Sequence, residues 1–183
     1  MQVSTQTKDR HMAACRHVDI FSPNHLELMT FFQGPISEVD ADDAHFDRQL
    51  IEKYAGVFLD AGIGYNRRGS IVVRAGSQGC LVAFLQVDVR FRWLPAFSFA
   101  SKTHRSIVDA TGAGNTFLGA MTFALVEGKD VVESAKYGNI GASFALQQIG
   151  LATLCTGEDG KDERWNGEVF KERYQEYSDM VSN

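Results

Sequence analysis

The chain contains 183 residues, of which 44% are hydrophobic and 22% are charged, and its formal net charge is −5. This composition is ordinary for a globular domain that builds its own core. Because the balance is acidic and no basic block interrupts it, we expect neither nucleic acid nor an anionic membrane surface as a partner.

Cysteine usage and the lack of long apolar runs bear on the compartment. Cys15, Cys80 and Cys155 are odd in number, far apart and without metal-ligand spacing, which is typical of reduced cysteines. The N-terminus is polar, unlike a signal peptide, and no apolar run reaches ~18 residues. The sequence therefore predicts a cytoplasmic protein.

The first third of the chain predicts a lead-in, a strand and two helices. Residues 1–16 have no hydrophobic period and are predicted to be loose, whereas residues 17–21 predict a short strand. Residues 38–47 are acidic but lack the ligand spacing of known metal motifs, which favours a solvated loop and an acidic helix start. Residues 46–64 then predict a helix that two glycines close.

The helix predicted after the first strand carries two polar residues on one face. Ser22 is predicted to cap it, with Pro23 at its first position, where a missing N–H is harmless. Asn24 and Glu27 stand three apart and so lie together near the helix start. Spacing alone favours an ordinary capped surface helix.

A hairpin and an aromatic segment follow. Residues 70–75 are rich in β-branched residues and predict a buried strand, residues 76–79 a tight turn, and residues 80–84 a second strand. Residues 86–97 predict a further strand pair, whose aromatic side chains are expected in the core or on the sheet.

A glycine turn lies near the middle of the chain. Ile107 and Val108 predict the end of a strand, and Gly112 and Gly114 allow the backbone to turn tightly. Apolar residues then recur at helical spacing, at Phe117, Met121, Ala124 and Leu125. The amides of a helix's first turn favour a phosphate. From these residues alone, a phosphate site and an ordinary strand-to-helix connection are equally good interpretations.

The last third predicts two helices. A cap at residues 128–130 precedes small and apolar residues spaced three and four apart from Val131 to Ile149, which predicts one long helix that packs closely on a neighbour. Residues 156–163 predict a charged loop, and residues 170–181 a closing amphipathic helix. The order of elements implies an α/β fold with helices on the faces of a sheet, in one domain.

The segment from Asp109 to Asn115, Asp-Ala-Thr-Gly-Ala-Gly-Asn, closely resembles the signature Asp-Thr-x-Gly-Ala-Gly-Asp of the PfkB family of carbohydrate kinases. The resemblance implies that the backbone of Gly112, Ala113 and Gly114 forms an anion hole around the transferred phosphoryl group. Asn115 stands where the family has its catalytic Asp. The implied fold is the ribokinase-like three-layer αβα sandwich.

The resemblance covers about residues 18–154 and corresponds to the second half of such a kinase. Residues 1–183 are therefore expected to form a single partial PfkB domain, the C-terminal half of the Rossmann-like fold. We expect a fragment, a shortened product or a half that needs a partner, and an unpaired strand edge near residues 18–21 invites association. The aromatic-proline segment and Asn115 are most similar to the fungal maintenance-of-killer-type branch.

The resemblance also implies ligands. Asn24 and Glu27 match the family's Asn-x-x-Glu motif, which organises Mg²⁺, its waters and the phosphates of ATP. The residues from Arg74 to Gly79 match a turn whose backbone lies along the nucleotide. The remaining implied positions are Gly76 and Ser77 within that turn, Asn139 on the adenine side, and Asp109 and Thr111 beside a monovalent cation such as K⁺.

Asn115 decides what activity the resemblance implies. An amide has no titratable oxygen, and loss of a general base costs on the order of 10² to 10⁴ in rate. We therefore expect a weakened ATP-dependent phosphotransferase that acts on an alcohol of a sugar or similar small molecule. The alternatives are a pseudokinase that keeps the fold and acts as a regulatory or interaction protein, and a scaffold that binds nothing at its glycine turns.

Overall fold

The computed structural model describes residues 5–34, 46–85, 89–97, 106–157 and 163–182. They divide into two compact units, residues 1–94 and residues 95–183. Within the described ranges, every helix is too short or too polar to cross a membrane.

The first unit contains a four-stranded sheet and three helices. Its elements are α1 (Thr5–Cys15), β1 (Ile20–Phe21), α2 (His25–Gln33), α3 (Arg48–Ala61), β2 (Ser70–Arg74), β3 (Cys80–Phe84) and β4 (Phe91–Leu94), with short 3₁₀ turns at Tyr65–Arg67 and Gly76–Gln78. The sheet order is β1-β2-β3-β4, with β1 parallel to β2 and the other pairs antiparallel. The predicted hairpin of β2 and β3 is confirmed.

The core of the first unit lies between the helices and the sheet. The apolar stripe of α3 places Ile51, Ala55 and Phe58 against buried residues of β2 and β3. Asp47 caps α3 by accepting a hydrogen bond from the amide of Leu50 at 3.1 Å. The first four residues of β2 are all buried, as its β-branched composition predicts.

Three predictions for the first unit were wrong. Residues 5–15 form a helix rather than a loose lead-in; its apolar contacts with the core are made by Met12 and Cys15, which are too few to give a hydrophobic period. The cap of α2 is Asn24, because the Ser22 hydroxyl instead donates to the carbonyl of Val72 at 2.8 Å. Residues 86–97 supply one described strand, β4, rather than a pair.

Other predictions for this unit fell short of the structure or outside its described ranges. The first strand is confirmed only for Ile20 and Phe21. Most of the acidic segment at residues 38–47 lies outside the described residues, and only its end is described, where Asp47 caps α3.

The second unit contains α4 (Ala113–Val126), α5 (Val131–Ala145), the short strands β5 (Leu154–Thr156), β6 (Glu163–Trp165) and β7 (Glu168–Val169), and α6 (Phe170–Ser182). The helices α4 and α5 pack closely. A Cβ atom at Gly138 would lie 2.7 Å from the Phe117 ring, and one at Gly141 would lie 2.6 Å from the Cβ of Ala120. The predicted close packing of the small-residue helix is confirmed.

Two boundaries in the second unit were predicted wrongly. The helix α5 ends at Ala145, so Ile149 lies beyond it and is 83% exposed. Ile107 and Val108 are described but are not in a strand, and both side chains are exposed. Instead of pairing with a strand, the amide of Val108 donates to the carbonyl of Leu146 at 2.7 Å.

The C-terminal segment combines an unpredicted sheet with a predicted helix. Antiparallel pairing of β5 with β6 and of β6 with β7 forms a second sheet, whose strands of two or three residues are too short to show a period. The predicted closing helix is confirmed as α6. Most of the predicted charged loop at residues 156–163 lies outside the described residues.

Candidate functional site

The signature turn is an ordered connection into α4. The amide of Thr111 donates to Oδ1 of Asp109 at 2.9 Å, and the amide of Ala113 donates to the carbonyl of Ala110 at 3.2 Å. Gly112 follows in the left-handed region, with φ 82°, and stands as the N-cap of α4. This conformation strongly favours glycine, so the turn explains why Gly112 is needed.

The start of α4 presents unpaired amides. Within the described parts of the chain, the amides of Gly114 and Asn115 donate to no acceptor, and no side chain caps the helix. A Cβ built on Gly112 would meet none of the described residues within 4 Å. Unpaired amides and the positive end of the helix dipole together favour an anion.

Asp109 is held in its charged form at this turn. The hydrogen bond from the Thr111 amide, reinforced by one from the Thr111 side chain, lowers the pKa of Asp109 below its ordinary value. The structure therefore brings together the two residues that the resemblance assigns to a monovalent cation.

A second predicted set comes together at the start of α2. Oδ1 of Asn24 accepts from the amide of Glu27 at 2.7 Å, and Oε2 of Glu27 accepts from the amide of Asn24 at 2.7 Å. Nη2 of Arg74 lies 3.4 Å from the same Oε2 and also donates to the carbonyl of Ser22 at 3.2 Å. Asn24, Glu27 and Arg74 therefore form one hydrogen-bonded group, which joins α2 to the end of β2.

The turn after β2 is built from two glycines with positive φ. Gly76 has φ 56° and Gly79 has φ 86°, and the amide of Ala75 donates to the carbonyl of Gly79 at 2.7 Å. A Cβ at Gly76 would meet nothing within 4 Å. Ser77 lies between them, and Arg48 donates to the side chain of Gln78 at 3.3 Å, a contact that the sequence did not indicate.

Asn139 lies inside the second unit. Its side chain is 6% exposed, and Nδ2 donates to the carbonyl of Pro95 at 3.2 Å and to the hydroxyl of Tyr177 at 2.8 Å. The Tyr177 hydroxyl donates to the same carbonyl at 2.6 Å. These bonds attach α6 to α5, and the adenine-side role of Asn139 stays a prediction.

The residues that hold these groups were harder to predict than the groups themselves. Sequence analysis missed Leu146, whose carbonyl receives the amides of Val108 and Asp109, because a backbone acceptor leaves no mark in the residue type. It also missed Tyr177 as the partner of Asn139. The only available signal was an aromatic residue with a polar end on the buried face of the closing helix.

The acidic donors suit a hard cation only in company with a ligand. Among the described residues, no three His, Cys, Asp or Glu side chains lie together as a metal group. Glu27 and Asp109 offer single carboxylates, and Mg²⁺ commonly takes one or two carboxylates together with phosphate oxygens and waters. Each carboxylate, taken by itself in its own unit, suits a metal that arrives with phosphate rather than a metal cage built by protein alone.

Comparison with known proteins decides the family. The sequence model described as pfkB family carbohydrate kinase matches residues 1–157. The chain belongs to the pfkB family. Its solved neighbours are sugar kinases, and its fold is ribokinase-like.

Two curated relatives illustrate the match of this pfkB chain. An uncharacterized protein of Schizosaccharomyces pombe is 29% identical over 178 residues, which cover 93% of the chain and 47% of the relative. Protein MAK32 of Saccharomyces cerevisiae is 35% identical over 85 residues, which cover 45% of the chain and 21% of that protein.

Two solved structures show the same fold. Phosphofructokinase-2 from Escherichia coli, in complex with substrates and products, superposes with a TM-score of 0.60 at 18% identity, over 98% of the chain and 46% of its own. Arabidopsis thaliana ribokinase, complexed with ribose and ATP, superposes with a TM-score of 0.55 at 26% identity, over 81% of the chain and 38% of its own. The pfkB chain thus spans about half the length, or less, of these proteins.

Proposed function

We propose that the chain is an ATP-dependent phosphotransferase module of the PfkB sugar kinase type, which transfers the γ-phosphate to an alcohol of a sugar or similar small molecule. The observation that carries the proposal is the start of α4. There, the amides of Gly114 and Asn115 have no acceptor among the described residues, and no side chain caps the helix. Family membership supports the reaction class.

The backbone of the signature turn would stabilise the phosphoryl group in flight. The resemblance assigns this role to the backbone of Gly112, Ala113 and Gly114. Because the amide of Ala113 already donates to the carbonyl of Ala110, the amides of Gly114 and Asn115 would face the negative charge, which a fixed set of donors stabilises without reorganising during the reaction. The acceptor hydroxyl oxygen forms a bond to the γ-phosphorus, while the bond from that phosphorus to the bridging oxygen breaks and ADP leaves. The transition state is loose, so most of the catalysis is positioning and charge stabilisation.

Asn115 limits the last part of this chemistry. Its amide can hydrogen-bond to the acceptor hydroxyl and orient it, but it cannot take the proton. The proton therefore passes to solvent water. Because a loose transition state demands little basicity until late, we expect turnover slowed by on the order of 10² to 10⁴.

The family resemblance is our ground for assigning nucleotide and metal binding to individual residues. Asn24 and Glu27 would hold Mg²⁺ and its waters, and the half-exposed carboxylate of Glu27 suits that task. When bound, Mg²⁺ would neutralise part of the phosphate charge. The other assigned residues are Arg74, Gly76, Ser77, Gly79 and Asn139 toward the nucleotide, and Asp109 and Thr111 toward a monovalent cation such as K⁺. The ribokinase complexed with ribose and ATP supports ATP as the donor.

A second candidate function is a pseudokinase that keeps the fold and acts as a regulatory or interaction protein. The observation that favours it is Asn115 itself, which removes the proton acceptor from the signature. In the described sheet β1 has a neighbour on one side only, and its open edge would suit a second copy or a separate half of the kinase fold. We place either form in the cytoplasm.

Isothermal calorimetry with ATP tests the leading proposal. We expect the purified chain to bind ATP with a heat signal that depends on Mg²⁺ and disappears when the metal is chelated. Binding of ADP and of inorganic phosphate should follow the same dependence more weakly. If ATP produces no Mg²⁺-dependent heat at any concentration up to the millimolar range, the proposal is wrong.

A further inference from the structure

The residues that lead into the signature turn, Val108 and Asp109, are hydrogen-bonded to the end of α5. The carbonyl of Leu146, the C-cap of that helix, accepts from the amide of Val108 at 2.7 Å and from the amide of Asp109 at 3.3 Å. The last carbonyls of a helix have no partner within the helix, so they are free to bind an incoming segment. The position of Asp109 therefore depends on the position of this turn.

Side chains of the C-terminal segment form hydrogen bonds to the end of α5. Nη1 of Arg173 donates to the hydroxyl of Ser143 at 3.0 Å, and Nη2 donates to Oε1 of Gln147 at 2.9 Å. Nδ2 of Asn166 donates to the carbonyl of Phe144 at 3.0 Å. Side chains of the C-terminal segment therefore bind residues 143–147. Within that same stretch, Leu146 binds Val108 and Asp109, which lead into the signature turn.

Arg173 makes most of the side-chain contacts between the C-terminal segment and the end of α5. Its side chain is fully buried, its Nη2 lies 2.9 Å from Oε2 of Glu168, and its guanidinium carbon lies 3.6 Å from the ring centroid of Phe144. Arginine is almost never fully buried unless it is paired, and its planar fork holds several acceptors in a fixed geometry. An arginine buried in this way fixes the relative position of every group that it binds.

The family comparison does not account for this residue. The family match ends at residue 157, whereas Arg173 lies on α6, beyond it. The signature turn, by contrast, lies well inside the match. The chain of contacts from Arg173 through residues 143–147 therefore links a segment beyond the family model to a site within it.

We infer that Arg173 is a positioning residue for the signature turn, which acts through residues 143–147 and the Leu146 carbonyl to fix Val108 and Asp109. Its hydrogen bonds to Ser143 and Gln147 and its ion pair with Glu168 act on the turn only through other residues, so it is a positioning residue and not a catalytic one. The inference rests on the proposed function for its biological meaning, because positioning matters only if the turn binds phosphate. The mechanical link is testable without any nucleotide.

Amide hydrogen exchange of the whole chain, resolved by residue with NMR, tests the link. In Arg173→Met, which keeps much of the side-chain length but removes its hydrogen bonds, we expect exchange at Val108 and Asp109 to accelerate by roughly tenfold or more. Amides in the middle of α4 should keep their protection. The matched control is Lys171→Met, which removes an exposed cation from the same helix and should leave every rate unchanged.

Two outcomes would overturn the inference. One is unchanged exchange at Val108 and Asp109 in Arg173→Met. The other is an equal loss of protection across α4, α5 and α6, which would mean that Arg173 only stabilises the unit as a whole. If Arg173→Met does not fold, Gln147→Leu removes one of its acceptors at a half-buried position and should accelerate the same two amides by a smaller factor.

Calorimetry on the same variants separates this inference from the proposed function. If the unaltered chain binds Mg²⁺-ATP, Arg173→Met should weaken binding severalfold and Lys171→Met should not. If the unaltered chain binds no ATP, the proposed function fails, while the exchange data still decide whether Arg173 positions the turn. Unchanged ATP affinity beside accelerated exchange would overturn the claim that the turn's position matters to the site.

Discussion

The two units present their candidate site residues in opposite states. At the start of α2 in the first unit, the side chains of Asn24 and Glu27 complete a capping box and Arg74 pairs with the carboxylate. At the start of α4 in the second unit, no side chain caps the helix, and the amides of Gly114 and Asn115 have no acceptor among the described residues. The start of α2 is therefore capped by its own side chains, whereas the start of α4 has backbone amides that could still bind an acceptor.

This difference shows how much of each set a structural explanation already covers. A capping box stabilises a helix whether or not a ligand exists, so Asn24 and Glu27 would be kept for stability alone. An uncapped start with open space at Gly112 gains nothing in stability from being left so. The second unit therefore carries the stronger independent evidence for a ligand, and the first depends more on family membership.

The largest effect is expected at the second unit's helix start. Restoring the family's carboxylate with Asn115→Asp supplies a proton acceptor, and we expect ATP-dependent phosphorylation of a sugar panel to rise by about 10² to 10⁴. Release of ADP in a coupled assay measures it, with Thr116→Ser as a neighbouring control that should not gain activity. Nucleotide binding without turnover in both forms would favour the pseudokinase.

The next effect concerns the packing that holds α4 in place. Gly138→Ala puts a Cβ atom 2.7 Å from the Phe117 ring and should lower the free energy of unfolding by about 1–3 kcal/mol. Gly119→Ala is the matched control, since its Cβ would meet nothing within 4 Å on the exposed side of α4. That control should raise stability by roughly 0.5–1 kcal/mol. Urea unfolding of both variants measures the contrast, and equal shifts would contradict the close packing.

A smaller effect separates capping from metal binding in the first unit. Glu27→Ala removes the capping box and should cost about 1 kcal/mol of unfolding free energy. Glu27→Gln keeps a side chain that can complete the box, so its stability should change by less than about 0.5 kcal/mol. If Glu27 also serves Mg²⁺, both variants should lose Mg²⁺-dependent ATP binding in calorimetry. Full binding by Glu27→Gln would assign this residue to capping alone.

The smallest effect is a pH dependence at the turn that leads into α4. The lowered pKa of Asp109 means that its carboxylate stabilises the fold above its ordinary pKa, and that this contribution is lost as the pH falls toward the lowered value. Asp109→Asn should therefore lose less stability than the unaltered chain between about pH 7 and pH 3. Denaturant unfolding at both pH values measures this, and parallel losses would contradict it.

Sequence patterns predicted the parts of the molecule in which a side chain reports its own environment. The β-branched run of β2, the Asp130 cap of α5 and the small residues at Gly138 each imply their surroundings, and the structure agrees. The helix α1 and the strands β5 to β7 were missed, because a few contacts or two or three residues leave no period. The strand predicted at Val108 was wrong, since an apolar residue there is exposed.

The candidate sites divide along the same line. Glycines at positive φ and carboxylates near helix starts are visible in sequence, so Gly112, Gly76 and Glu27 could be singled out. Partners contributed by the backbone, such as the Leu146 carbonyl, are common to all residue types and cannot be. The burial of Asn139 against Tyr177 likewise depends on a contact between residues 38 positions apart.

The bare contact between α4 and α5 also limits how this sequence can change over time. Gly138 of α5 lies against the ring of Phe117, and Gly141 lies against the methyl group of Ala120. Any larger residue in this helix contact must therefore be matched by a loss of volume on the other helix. Drift should therefore concentrate on the outer side of α4, where Phe123 and Val126 are 61% and 79% exposed. A pfkB chain whose signature turn no longer bound a ligand would still keep the small residues at the contact between α4 and α5, whereas Gly114 and Asn115 would be free to vary.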